Sequence, residues 1–326
     1  MPVLRLLLIV TCWAVSATGA AAQPIELVGA RALGMGGAFV AVADDATATY
    51  WNPAGLALGG LFSTVVERAE LEAGAREALE MPQQQGSSTF IGMTSLPLGF
   101  SYYRLSQTTA RADGPASSGR SELQSLVTHQ AGVTILQSIV PSLAIGTTLK
   151  LVRGRAAHDI VTDTGTDPIE TAGDLPSHSS TAFDLDVGAL ASAGLLRVGI
   201  VVRNVREPTF EAPDETGLSL SRQARIGVAL VARRAWAVAV DADLTRADTA
   251  LGERRNVAAG IERWLLGSRV GFRGGVRINT VGGDAQPVGS LGATLHLTPT
   301  FAVDAHWANS ESPADRSWGI AGRMAF

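Results

Sequence analysis

Arg269, Arg273 and Arg277 recur at every fourth position, a spacing that puts three guanidiniums on one face of an extended strand. Arginine presents a rigid fork of donors that fits a carboxylate or a phosphate, so this ladder is the first candidate for meeting the anionic head group of a ligand. Asp241 with Asp243, and Asp304 with His306, are spaced by two and share a face in the same way. An Asp–His pair could orient a catalytic serine. The chain has neither a Gly-x-Ser-x-Gly elbow nor a His-Glu-x-x-His helix, so the residues point to no enzyme, no metal and no cofactor. Lys150, Asp184, Asp186, Glu262 and Arg323 complete the charged set. Acidic and basic strands alternate, so the same residues read either as lateral ion pairs that order an interior or as ligand contacts. Asp159, Asp163, Asp167, Glu170 and Asp174 make one loop acidic but lack the glycine and ligand spacing of a calcium loop, and read as solvated.

The elements that carry these residues are strands. Trp236, Val238, Val240, Ala242 and Leu244 alternate with Ala237, Ala239, Asp241 and Asp243. Phe301, Val303, Ala305 and Trp307 do so with Asp304 and His306, and Val270, Phe272, Val276 and Ile278 with the arginine ladder. Each strand therefore has one apolar face and one charged or small face. Extending this pattern predicts fourteen strands, at 61–72, 87–96, 97–106, 121–137, 141–155, 179–193, 195–206, 219–232, 235–246, 254–265, 268–280, 286–297, 299–309 and 316–326. Connections alternate between very short (Leu96-Pro97, Ala193-Gly194, Arg233-Arg234, Leu266-Gly267) and long and polar (Ala73 to Gly86, Ala156 to His178). Short turns on one rim and long loops on the other are the pattern of an outer-membrane barrel, with the short side periplasmic. An even count brings both barrel ends to that side.

Composition agrees. Gly is abundant at 36, charged residues are only 17%, and mean hydropathy is slightly positive, yet no run after the first residues is long enough for a spanning helix. A closed sheet can still cross a bilayer, because closure satisfies every backbone group. The mildly negative net charge of −4 argues against nucleic acid as a partner. Residues 1–22 read as a cleaved signal peptide, with Arg5, an apolar run from Leu6 to Val15, and Ala20-Ala21-Ala22 before the cut. Cys12 lies within it, and Thr11 before it fits a lipoprotein acceptor poorly.

The stretch Gly29 to Ala57 interrupts this strand grammar. It holds Gly29-Ala30-Arg31-Ala32, then Gly34, Gly36 and Gly37, then Asp44-Asp45-Ala46, then Asn52-Pro53-Ala54. In that order and spacing it resembles the N-terminal hatch signature of the FadL/PorV superfamily of outer-membrane β-barrels. Val198 to Pro208, with Arg203-Asn204-Val205, is similar to the family's mid-barrel strand ending, and a C-terminal Phe326 closing an alternating strand resembles the signal read by the barrel-assembly machinery. Taken without the resemblance, Ala38 to Ala48 also reads as an amphipathic helix with the Asp pair on its solvated face.

The expected architecture is all-β: a transmembrane antiparallel barrel of about fourteen strands over 61–326, with a hatch over 23–60 inside its lumen. Gly29, Arg31, Gly36, Gly37, Asp44, Asp45, Asn52, Pro53 and Ala54 are the hatch residues; Arg269, Arg273, Arg277, Asp241, Asp243, Asp304 and His306 are the lumen-face ligand candidates. Resemblance to FadL implies passive transport of a hydrophobic small molecule across the outer membrane. Resemblance to PorV implies instead a barrel that docks secretion-system proteins, and the polar long loops suit that alternative. Outer-membrane lipid and the barrel-assembly machinery are the other expected partners.

Overall fold

The structure is a computed structural model that describes residues 26–71, 83–113, 119–162, 168–232, 235–249, 252–281, 287–310 and 316–326. The predicted signal peptide with Cys12, the turn at Arg233-Arg234, and Asp163 and Asp167 of the acidic loop lie outside them.

The strands in chain order are β1 (Phe62–Leu71), β2 (Gln83–Ser95), β3 (Leu98–Ala112), β4 (Arg120–Val140), β5 (Leu143–Thr162), β6 (His178–Ala193), β7 (Leu196–Arg203), β8 (Thr209–Glu211), β9 (Gly217–Ser219), β10 (Gln223–Ala232), β11 (Trp236–Asp243), β12 (Ala247–Thr249), β13 (Gly252–Arg254), β14 (Asn256–Leu265), β15 (Val270–Asn279), β16 (Pro287–His296), β17 (Phe301–Asn309) and β18 (Ser317–Ala325). Fourteen of them form one closed antiparallel barrel, with β8–β9 and β12–β13 as separate hairpins in the long loops. The barrel closes where β1 pairs with β18, from Ser63 opposite Ala325 to Leu71 opposite Ser317. Closure removes the sheet edges, which is what lets a sheet survive in lipid.

The fourteen predicted strands are the fourteen observed. Differences lie at their ends. The strand expected from residue 219 starts at Gln223, because Gly217–Ser219 pair with Thr209–Glu211 instead. β4 and β5 run to 21 and 20 residues, well above the waterline set by the 8 to 10 residues of β7, β10 and β11, so one side of the wall is taller.

Period two sorts the side chains as expected. Outward positions are exposed and apolar: Val66, Ile91, Val133, Leu149 and Leu151 on the tall side, Val238, Val240, Phe272, Trp307, Trp318 and Ile320 on the other. In water this surface would be a large apolar liability; against acyl chains it stabilises the barrel. Inward positions hold Asp184, Asp186, Asp241, Glu262, Arg273, Asp304 and His306, all buried.

They are buried because the lumen is full. Residues 26–60 run through it as α1 (Ala30–Gly34), turns, α2 (Ala48–Trp51) and a 3₁₀ turn over Pro53–Leu58 before entering β1. Pro53 sits at the first position of the 3₁₀ turn, where its missing N–H is no loss, and the Asn52 side chain caps it by accepting from the Ala54 N–H at 3.1 Å. Ala38 to Ala48 is therefore not one helix. Phe39 and Val40 instead turn their N–H groups toward the wall, where Asp241 accepts both.

Candidate functional site

The contact between this segment and the wall is the molecule's most constrained region. Much of it is backbone against backbone. A Cβ on Gly146 of β5 would lie 2.2 Å from Pro53, one on Gly188 of β6 2.1 Å from the Asn52 side chain, and one on Gly275 of β15 2.2 Å from Met35. Gly199 and Gly260 meet the segment in the same way, and Gly227 makes room for the Asp241 side chain that binds it, with Val40 behind. On adjacent strands these glycines lie directly opposite one another, Gly146 to Gly188, Gly199 to Gly227 and Gly260 to Gly275. The segment thus rests against a shelf of wall positions from which side chains have been removed. From its own side, Gly36 at φ 71° brings its Cα against the Val276 backbone, where a side chain would have no room.

Ion pairs fix the rest. The Arg31 guanidinium forks onto Glu262 of β14 through Nε and Nη2, both at 2.8 Å, and also pairs with Asp44, with Asp45 at 3.7 Å. Glu262 in turn accepts from Arg273 Nε at 2.7 Å and from Trp264 Nε1 at 3.0 Å. Arg273 reaches Thr294 and Asp304, and Asp304 holds Arg323 at 3.0 Å. The chain of charges runs from the segment across β14, β15, β16, β17 and β18. Burial alone would lower the Arg31 pKa, but Asp44 and Glu262 hold it well above its ordinary value.

A second group fastens the start of the segment. Glu26 pairs with Arg203 of β7 and with Arg225 of β10 at 2.9 Å; Arg225 also takes Asp243 at 2.6 Å. Arg203 lies over the Tyr50 ring at 4.4 Å and over Trp51 at 5.7 Å. Burial pushes the Glu26 carboxyl up, and the attraction of Arg225 and Arg203 outweighs it and brings the pKa down to about 2. Burial beside this group raises the Tyr50 phenol to about 12. Hydrogen bonds fill the gaps: Glu67 of β1 accepts the Ala30 N–H at 2.8 Å, Trp51 Nε1 donates to the Val28 carbonyl at 2.9 Å, and Asn52 Nδ2 donates to the Val40 carbonyl at 2.9 Å and to the Ala189 carbonyl at 3.3 Å.

The segment leaves room on one side. A cavity of about 830 Å³ opens at the short-turn rim, among Gly59, Gly60, Gly267, Ser268, Thr298 and Pro299. Its roof is the Arg31–Asp44–Glu262–Arg323 group, Leu58, Val231 and Trp264 give it an apolar flank, and Arg269 and His296 face it from the rim. Asp44, with a quarter of its side chain exposed, is the member of the roof most open to the cavity. On the long-loop side, Phe210 and Leu218 of the β8–β9 hairpin pack inward on Leu126, Val152 and Ala156, and α3 (Pro168–Gly173) covers Ala110 and Leu123. Lys150 anchors the loop before that hairpin through Asp184 at 3.0 Å, Asp186 at 2.7 Å and Asn204 at 2.9 Å.

The lumen-face candidates therefore separate. Arg273 and Arg277 share the inward face of β15, while Arg269 falls in the turn before it and is exposed at the cavity; Arg273 is sealed between carboxylates, and Arg277 lies across the segment beside a small void with Glu26 and Ser290. Asp241 and Asp243 receive the segment and Arg225. Asp304 binds arginines, not His306, whose two ring nitrogens have no hydrogen-bond partner among the described residues. All the hatch candidates lie in the lumen: Gly29 and Gly37 at positive φ, Arg31, Asp44 and Asp45 in one charge group, Asn52, Pro53 and Ala54 against β5 and β6. Phe326 donates its N–H to the Phe62 carbonyl at 3.0 Å and stacks on the Phe62 ring at 5.6 Å, beside the closure of the barrel. Sequence reasoning missed Glu26, Arg203, Arg225 and Glu67, and the wall glycines. A glycine recurring on the inward parity of successive strands was the available signal.

Residues 51–243 match the family model described as F plasmid transfer operon, TraF, protein. The chain belongs to that family. The match starts in α2 and runs through β11, so it takes in the end of the lumen segment and more than half of the barrel wall. No curated protein matches the chain in sequence. Among solved structures, it is similar to the CymD monoaromatic hydrocarbon channel, with a TM-score of 0.65 and 13% identity over 95% of this chain and 99% of that one. The Ralstonia pickettii toluene transporter TbuX gives 0.64 and 12% over 92% and 98%. A Pseudomonas aeruginosa FadL homologue gives 0.63 and 10% over 94% and 100%. At these identities the likeness establishes the fold alone: this member of the TraF family shares the barrel fold of these channels.

Proposed function

We propose that the chain is an exported outer-membrane barrel that passes a small hydrophobic or amphiphilic molecule, with residues 23–60 as the hatch and the short-turn rim facing the periplasm. The cavity under the segment carries this reading. About 830 Å³ falls in the size range of roughly 300–1,000 Å³ for small-molecule sites, and it has an aromatic and aliphatic flank opposite arginines. A molecule of the toluene class, which the name of one similar structure assigns to that protein, would rest against Leu58, Val231 and Trp264. An acidic substituent would meet Arg269. Passage requires the roof to part, and the half-open Arg31–Asp44 pair is the place where it does so at least cost. Export through the signal peptide and recognition of Phe326 by the assembly machinery complete the reading.

The test is uptake of a radiolabelled aromatic hydrocarbon and its carboxylate by proteoliposomes holding the full-length mature chain. Uptake faster than through protein-free vesicles, and faster still in Asp44→Asn, supports transport. Equal rates in all three contradict it.

A second reading has its own observation. The family description refers to a plasmid transfer operon, and the lumen is occupied from the long-loop side as well as at its centre. A barrel closed in this way would serve as a membrane-embedded dock for secretion proteins. Stoichiometric protein partners, and no small molecule, recovered with the barrel from native membranes would favour it.

A further inference from the structure

One row of the outer surface breaks the apolar pattern. Across six neighbouring strands of the tall side, register places Arg68 of β1 opposite Thr89 of β2, Thr89 opposite Arg104 of β3, Arg104 opposite His129 of β4, His129 opposite Arg153 of β5, and Arg153 opposite Thr181 of β6. All six point away from the lumen, on the parity of the exposed apolar residues. The next row toward the short turns is Val66, Ile91, Tyr102, Ala131, Leu151 and Phe183. The next row toward the long loops is Glu70, Ser87, Ser106, Val127, Arg155 and Ser179. The row of cations therefore marks the level at which the apolar wall ends.

Arg104 and Arg153 have no hydrogen-bond or ion-pair partner among the described residues, and His129 has only the Tyr102 hydroxyl at 2.7 Å. Arg206, past the end of β7, puts its guanidinium 5.7 Å from the ring of Phe183 in the neighbouring apolar row. Among the described residues, Glu70 is the one carboxylate on the outward face near this level, and it is taken by Arg68 at 3.0 Å. Arg104 and Arg153 stand two strands apart, about 10 Å from each other across His129. Among the described residues no outward carboxylate lies between them. Every buried inward arginine in the charge groups of this protein, by contrast, has a carboxylate.

We propose that this row binds the phosphate headgroups of lipids in the leaflet on the long-loop side, with the guanidiniums of Arg104 and Arg153 flanking His129 as the centre of the site. The inference rests on the barrel spanning a bilayer. Guanidinium forks are matched to phosphate oxygens, and the apolar row directly below receives the acyl chains of the same lipid, so both halves of the molecule are recognised by adjacent positions of the wall. The same pairing followed the other way from Arg68 runs through Ile320, Ala305, Ala293 and Phe272 before it meets a charge, Arg263 of β14. Bound lipid is therefore expected over β1 through β6, where the charges are grouped.

Native mass spectrometry of the detergent-solubilised full chain tests this, with phosphatidic acid, phosphatidylcholine and inorganic phosphate as separate probes. The wild type retains phosphatidic acid about tenfold more than phosphatidylcholine, and Arg104→Gln/Arg153→Gln loses most of that preference. Arg222→Gln/Arg246→Gln, with the same charge change in loops, keeps it. Equal retention of both lipids by the wild type, a preference undiminished in Arg104→Gln/Arg153→Gln, or binding of inorganic phosphate without lipid preference would each overturn the inference. Vesicle flotation separates it from the functional reading. A chain that fails to float with vesicles removes the membrane barrel itself, whereas one that floats and shows no headgroup preference removes only this site.

Discussion

The inward and outward arginines of this barrel lie on different elements and live in opposite circumstances. Arg31, Arg203, Arg225 and Arg273 are buried, and each is matched to at least one carboxylate contributed by a distant part of the chain. Arg104 and Arg153 stand on the outer face without such a partner. The difference separates two uses of one side chain. Where the carboxylate is built in, the charge fastens the N-terminal segment to the wall; where it is missing, the charge is left for something outside the protein.

Predictions follow from pressing on each side of that contrast. Glu262→Gln has the largest expected effect, because it removes the shared partner of Arg31 and Arg273 and leaves two buried cations under-compensated. Breaking such a buried pair costs about 3–5 kcal/mol, read as an earlier urea midpoint of the detergent-solubilised barrel. Next comes Gly146→Val, which forces a side chain into the Pro53 backbone at a position where a Cβ already lies 2.2 Å away. Overpacking of this kind costs about 1–3 kcal/mol, and limited proteolysis would cut residues 26–60 while the wall stays intact.

Acid acts on the Glu26 group. Its folded pKa of about 2 lies below the ordinary 4.5, so the stability it contributes is present above pH 4.5 and is lost as pH falls from there toward 2. Glu26→Gln should flatten the pH dependence of the unfolding midpoint in that window. The smallest effect belongs to the outer face. Arg104→Gln/Arg153→Gln should shift the midpoint in pure detergent by no more than about 0.5 kcal/mol, since no protein partner is lost.

The wall of this fold was legible in sequence because period two is a local property. Trp236 to Leu244 and Phe301 to Trp307 declare their faces without reference to any neighbour, and Leu96-Pro97 divides two strands because both flanks keep the alternation. What decides the site is not local. Of the Arg269, Arg273 and Arg277 ladder, the last two share one face of β15 and Arg269 falls in the turn before it, and the members meet different surroundings because β14, β16 and the lumen segment approach each at a different height. Glu26 finds Arg203 across 177 residues, and no spacing rule reaches that far. Gly188 and Gly275 read as weak points of strands until the segment is laid against them. The row of outward cations needs the register of five strand pairs before it exists at all. Ala38 to Ala48 carried a helical pattern that lost to the wall, because Asp241 offers the Phe39 and Val40 N–H groups a better partner than a solvated helix would.

Hydrogen–deuterium exchange of the detergent-solubilised chain tests most directly whether inward charge holds the segment in place. Residues 26–58 should be protected as strongly as β14 and β15 in the wild type, and should exchange rapidly in Glu26→Gln/Glu262→Gln while those strands stay protected. A segment that exchanges freely in the wild type, or stays protected in the double variant, would contradict the account.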